Sequence, residues 1–234
     1  MSSIINAPRL LGAAFLIVIA TTLIATIPLD VVVGNSIGSS VEPDMLEKIS
    51  NNPTMMRIGI LGGLLNSTAI VALAVLCYFV LKEQNRILAL LALGLWLGEA
   101  IFFAMIQIGS LALIPLSRDF VNAAAPASPF YQTLGGFLYN GLYNQGFMIL
   151  MWFYCTGGLL WYYLFYRSRY IPRAISVFGL LAVTLGLAGI VLQLFGFIDP
   201  NLGFLLILPF ELIIGGWLML KGIRDPKQAT NQPI

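Results

Sequence analysis

Six long apolar runs follow one another along the chain, divided by polar segments. They extend from Leu10 to about Val33 (broken only by Pro28 and Asp30), then from Ile58 to Leu81, Ile87 to Ile114, near Gly146 to Tyr166, Ala174 to Ile198 and Leu202 to Leu220. A helix rises 1.5 Å per residue, so about 20 apolar residues cross a hydrocarbon core roughly 30 Å thick. Each run is long enough. Membrane barrels use short segments of alternating polarity, and these runs are too long and too uniformly apolar for that. The pattern predicts an all-α integral membrane protein, one transmembrane domain over residues 1–234. Its bundle of about six transmembrane helices lies near 10–33, 58–81, 87–114, 146–166, 174–198 and 202–220. Pro115 is expected to end the third helix. The first run exceeds the apolar core of a secretory signal peptide and lacks a clear cleavage site, so it reads as a retained helix.

Basic residues set the expected orientation. With the N-terminus inside, Arg9, Lys82, Arg86, Arg167, Arg169, Arg173, Lys221, Arg224 and Lys227 lie on the cytoplasmic side, and Lys48, Arg57 and Arg118 lie outside. That imbalance places both termini in the cytoplasm. Trp161, Tyr162, Tyr163 and Tyr166 fit an interfacial aromatic belt. Two outer segments are long, residues 34–56 and 115–145. In the first, Val41, Met45, Leu46 and Ile49 alternate with Glu42, Asp44, Glu47 and Lys48 at the spacing of a short amphipathic helix. The second holds an Ala/Pro stretch and Gly135-Gly136, and is expected to be a re-entrant or surface segment. Long loops favour the outer face for a binding role, and covering helix ends explains them equally well.

Composition supports the membrane reading. Hydrophobic residues make up 59% of the chain and charged residues 9%, against roughly 25% charged in a soluble domain. The bilayer is therefore the first expected partner. A net charge of +2 is too small to argue for nucleic acid. Histidine is absent, which removes the commonest general base and transition-metal ligand. Cys77 and Cys155 lie inside apolar runs and read as packed free thiols. No Walker-type phosphate loop is present.

Two carboxylates stand out. Glu99 lies 13 residues after Arg86, roughly 20 Å along a helix. Glu211 lies 10 residues before Lys221, roughly 15 Å. Both fall well inside the hydrocarbon, where an acidic residue costs roughly 2.5–3.5 kcal/mol and turns to the bundle interior. No lysine or arginine lies comparably deep, so one or both are expected to carry or share a proton. Polar residues available as partners are Asn66, Ser67, Thr68, Gln107, Thr156, Thr184 and Gln193. The candidate intramembrane polar site is Glu99, Glu211, Gln107, Gln193 and Asn66. A plain interhelical hydrogen-bond clamp explains the carboxylates without any further role. Small-residue pairs at Gly59/Gly63, Gly94/Gly98 and Ala182/Gly186 favour close helix packing.

Four stretches carry a family resemblance. They are Pro8-Arg9-Leu10-Leu11-Gly12-Ala13; Asn85-Arg86-Ile87-Leu88 through Leu93, with Glu99-Ala100; Gly158 to Gly179-Leu180 by way of Tyr162, Tyr166-Arg167-Ser168-Arg169 and Ile171-Pro172-Arg173; and Phe210-Glu211-Leu212 with Trp217-Leu218 and Lys221-Gly222. In these the chain resembles a bacterial membrane-protein family, the domain of unknown function 4386. The resemblance covers nearly the whole chain. It implies a multi-helix protein of the bacterial cytoplasmic membrane and no particular activity. The family often has an arginine three residues before the glutamate of the third helix, where this chain has Trp96. An arginine–glutamate pair is therefore not carried over.

These residues support two main readings. The first is a non-catalytic binding, accessory or regulatory membrane protein. The second is a small proton- or cation-coupled carrier built on Glu99 and Glu211. An enzyme is least favoured, because Ser67 with Thr68 and Cys155 with Thr156 lack a nearby base. No histidine or mid-helix lysine suggests haem or retinal, and any cofactor is left unknown. Tyr139, Tyr143, Trp152 and Phe153 form an aromatic set suited to lipid or to a membrane-protein partner.

Overall fold

The computed structural model describes residues 7–33, 44–122, 129–198 and 205–223, and the regular structure among them is helical. Helix α1 spans Ala7–Val33, α2 Met45–Asn51, α3 Pro53–Leu81 and α4 Arg86–Asn122. A continuous helical segment follows, made of α5 (Pro129–Gly136), a π-helical stretch (Phe137–Asn144) and α6 (Gln145–Ser168). Helices α7 (Arg173–Leu194) and α8 (Ile207–Lys221) come last. Five segments have the length and hydropathy to cross a bilayer: Pro8–Pro28, Pro53–Leu81, Arg86–Asn122, Pro129–Ser168 and Arg173–Leu194. Helix α8, from the sixth apolar run, has 15 residues; the run's first residues, 202–204, lie outside the described residues. So do Val41, Glu42, most of the Ala/Pro stretch, Arg224 and Lys227.

The helices' outward faces are apolar. Only 33% of the most hydrophobic window of α3 is buried within the protein. Its outer side carries Leu61, Leu64, Leu65 and Phe79, with Phe79 60% exposed. Helix α4 presents Ile87, Leu90, Leu91, Ile101 and Ile108 in the same way. A helix facing water would carry charges at such positions. Contact with a lipid bilayer accounts for them, and the protein is a multi-pass transmembrane protein.

The two long connecting segments are more helical than the sequence suggests. Pro115 does not end the third helix; α4 runs through it to Asn122. A proline removes one backbone donor, but in hydrocarbon the remaining backbone groups have no better partner than their own helix. Just beyond it, the Ser117 hydroxyl donates to the Ile114 carbonyl at 2.8 Å. Helix α1 passes through Pro28 similarly. The stretch after Pro129 is helix that continues into α6. The expected amphipathic helix is present as α2, with Met45, Leu46 and Ile49 buried. Lys48 meets Asp44 on its other side at 3.3 Å.

Two compact units can be distinguished, one of Met1–Ile19, Ala69–Glu99 and Met151–Ile234, the other of Ala20–Thr68 and Ala100–Leu150. In the first, α1 meets α8 backbone to backbone at Gly12. A Cβ there would strike Met219 N and come 2.8 Å from Gly215 O. Gly179 lies beneath the Phe210 ring, with 2.5 Å left for a Cβ. Asn85 caps α4, its Oδ1 accepting the Leu88 N–H at 3.1 Å. Arg169, at φ 57°, turns the chain out of α6.

In the second unit Gly62 packs on the Ile24–Ala25 backbone, 2.8 Å from where a Cβ would sit. Gly135 rests on Leu46, bringing α5 against α2. Of the expected glycine pairs, Gly63 meets Gln107 and Gly98 meets Phe153, but a Cβ on Gly94 would touch nothing within 4 Å. Tyr139 and Tyr143 are not a docking surface: they are 1% and 5% exposed and stack on each other. Residues four apart share a helix face, and this face turns inward. Trp152 is the outward-facing member of that aromatic set, at 43% exposure.

Candidate functional site

The site grows from one face of α6. Tyr154, Gly158, Trp161, Tyr162 and Phe165 recur at helical spacing, and all are buried. Trp161 and Tyr162 are therefore core residues and not part of the interfacial belt; both are fully buried, while Tyr163 is 42% exposed. Small residues let the ring-bearing face close on its neighbours. A Cβ on Gly157 would stand 2.6 Å from the Trp96 ring of α4, and one on Gly158 would stand 2.9 Å from Val183 of α7.

Into this aromatic wall α8 inserts Glu211. The Tyr154 hydroxyl donates to Glu211 Oε1 at 2.9 Å. The Tyr162 hydroxyl lies 3.4 Å from that of Tyr154. A phenol has one proton to give. With the Tyr154 proton committed to the carboxylate, Tyr162 is the donor of the second contact, and the three groups form a chain from Tyr162 through Tyr154 to Glu211. Phe210, beside Glu211, meets the Tyr162 ring edge-on at 4.6 Å.

Glu99 enters from α4, 6% exposed against 8% for Glu211. It lies within electrostatic reach of Glu211 and of Cys155. One helical turn before it, Trp96 stacks on the Tyr154 ring, 6.0 Å between centroids and 5° between planes. The Trp96 indole N–H donates to the Tyr154 carbonyl at 3.1 Å. Trp161 and Phe15 close on Trp96 edge-on at 5.9 and 6.4 Å. The position where the resemblance leads one to expect an arginine thus carries the ring that orients the tyrosine holding Glu211. Tyr162 is also within electrostatic reach of Cys77 of α3. Both cysteines are free and buried.

The five residues proposed from the sequence do not form one site. Glu99 and Glu211 belong to the first unit, within electrostatic reach of each other. Asn66 belongs to the second, where its Oδ1 accepts from the hydroxyls of Thr21 at 2.8 Å and Thr22 at 3.2 Å. Gln107 donates to the Phe103 carbonyl at 3.2 Å. With Ser110 and Tyr143 it lines a cavity of about 10 Å³ bounded by Ala25, Met56, Gly59 and Ile60. That is roughly the space one water occupies. Gln193 is near the end of α7, its Oε1 buried without a partner among the described residues. Thr68, Thr156 and Thr184 satisfy themselves on carbonyls four residues back in their own helices, as short hydroxyls do in apolar surroundings.

Chemically, the cluster offers two carboxyls, two phenols and two thiols walled by large aromatic rings. It can hold protons or hydrogen-bond donors. Among the described residues no group of three or more His, Cys, Asp or Glu side chains is placed to share a metal ion. Comparison with known proteins yields one family match, domain of unknown function (DUF4386), over residues 10–222. No curated protein and no solved structure matches the chain.

Proposed function

Because the chain belongs to the domain of unknown function family DUF4386, a family to which no activity is attached, we propose a role from the site alone: a non-catalytic binding, accessory or regulatory protein of the bacterial cytoplasmic membrane. In this reading α8 completes six spans in one membrane domain, and both termini are cytoplasmic. The carboxyl cluster clamps α4, α6 and α8 in register. The observation that carries the reading is the packing around the carboxyls. Trp96, Trp161, Tyr162 and Phe210 are each 1% exposed or less, and Tyr154 spends its only proton on Glu211. Side chains so fully engaged suit a fixed joint better than a site that must admit a substrate.

The hydroxyl chain from Tyr162 to Glu211, with Glu99 as a second carboxyl in reach, favours the other reading, a proton- or cation-coupled carrier.

Isolation from native membranes in mild detergent separates the two. The binding reading expects another membrane protein to co-purify in stoichiometric amount, and Glu211→Gln to leave that association in place. A protein that purifies alone and moves protons across liposomes, with the movement abolished by Glu211→Gln, contradicts this reading and supports the carrier.

A further inference from the structure

Bases gather at one end of the first unit, six of them exposed and Lys82 half-buried. Lys82 and Arg86 flank the turn between α3 and α4, and Arg167, Arg169 and Arg173 flank the turn between α6 and α7. The Gln84 amide donates to the Tyr170 hydroxyl at 3.3 Å, tying the two turns together. Arg9 and Lys221 stand at the ends of α1 and α8, which meet where Gly222 faces Pro8. Against these seven bases, Glu83 is the sole exposed acid among the unit's described residues; Glu99 and Glu211 are buried. The described ion pair, Lys48–Asp44, belongs to the other unit.

We propose that the two joined turns bind the phosphate of an anionic phospholipid, with Lys82, Arg86, Arg167, Arg169 and Arg173 supplying the charge. Like charges crowded on two adjacent turns repel unless an anion is supplied. Each Lys or Arg held near the bilayer surface attracts an anionic headgroup through its charge. Aromatic rings anchor two of the cations, as at a membrane interface: Lys82 Nζ lies 5.1 Å from the centre of the Phe79 ring, and the Arg173 guanidinium 5.2 Å from that of Tyr166. What favours a lipid over free phosphate is the apolar flank. Phe79, Ile87 and Leu90, all more than half exposed, adjoin the bases and offer a seat for acyl chains. The inference rests on the membrane character of the fold and not on the carboxyl cluster.

The test uses the full-length protein in neutral-detergent micelles, titrated with short-chain phosphatidylglycerol, short-chain phosphatidylcholine or inorganic phosphate. Bound lipid is counted by native mass spectrometry, and phosphate is read by its ability to displace it. Phosphatidylglycerol is expected to bind at least tenfold tighter than phosphatidylcholine, with phosphate a poor competitor. The triple variant Arg167→Gln, Arg169→Gln, Arg173→Gln loses about fivefold per arginine, on the order of 100-fold in all. The matching triple Arg→Lys variant keeps the charge and stays within a few-fold of the native protein, as does Lys48→Gln with Arg57→Gln and Arg118→Gln. Equal binding of the two lipids, full displacement by phosphate at matched concentration, an unchanged triple glutamine variant or a lysine variant that loses binding would each overturn the proposal.

Discussion

Trp96→Ala lowers the unfolding free energy by about 3–5 kcal/mol, the range for deleting a large buried aromatic. The ring is 1% exposed and touches three others, Tyr154, Trp161 and Phe15. It also gives its N–H to the Tyr154 carbonyl. Alanine removes the packing and the hydrogen bond together, and leaves a void beside Gly157, which has no side chain to fill it. Trp96→Phe keeps much of the ring volume and loses one hydrogen bond to a carbonyl that keeps its helical partner, so about 0.5–1.5 kcal/mol is expected. Reversible unfolding in micelles, followed by near-ultraviolet circular dichroism, measures both. A loss below about 1 kcal/mol for the alanine variant is incompatible with Trp96 as the centre of this wall.

Gly12→Leu is the second large effect, about 3 kcal/mol or more, at the upper end of what overpacking costs. The contact there is between backbones. Any Cβ at residue 12 meets the Met219 amide and the Gly215 carbonyl, which cannot rotate away as a side chain would. Helices α1 and α8 must separate, breaking contacts of Leu11 and Leu218, both fully buried. Gly216, where a Cβ would touch nothing within 4 Å, is the control: Gly216→Ala should be neutral or slightly stabilising, since glycine weakens a helix by up to about 1 kcal/mol against alanine. Equal stability of Gly12→Leu and Gly216→Ala would rule out close α1–α8 packing.

Five of the six expected spans were legible because bilayer thickness imposes a length that hydropathy reads directly. Helix ends were less so. Pro115 looked like a stop because proline ends helices in water, where a freed backbone group finds solvent; in lipid the helix continues. The burial of Glu99 and Glu211 was legible for the same reason that made each conspicuous, since an acid deep in hydrocarbon turns inward. Their actual surroundings were not. Tyr162 read as an interfacial residue and Tyr154 did not stand out, because a phenol's polarity is one atom on a large ring. The spacing of Tyr154, Gly158, Trp161 and Tyr162 on a single face was the available signal. Asn66, Gln107 and Gln193 were grouped with the carboxylates on polarity alone. Depth along the chain does not reveal which way a side chain faces, and each of the three has its own surroundings.

The central claim is that Glu99 and Glu211, from different helices, behave as one buried group. A double-mutant cycle of Glu99→Gln and Glu211→Gln, read by unfolding free energy in micelles, tests it most directly. The two substitutions should be non-additive, with a coupling energy of about 1–3 kcal/mol. Effects that sum to within about 0.5 kcal/mol would mean that the carboxyls are independent and that no joint site exists.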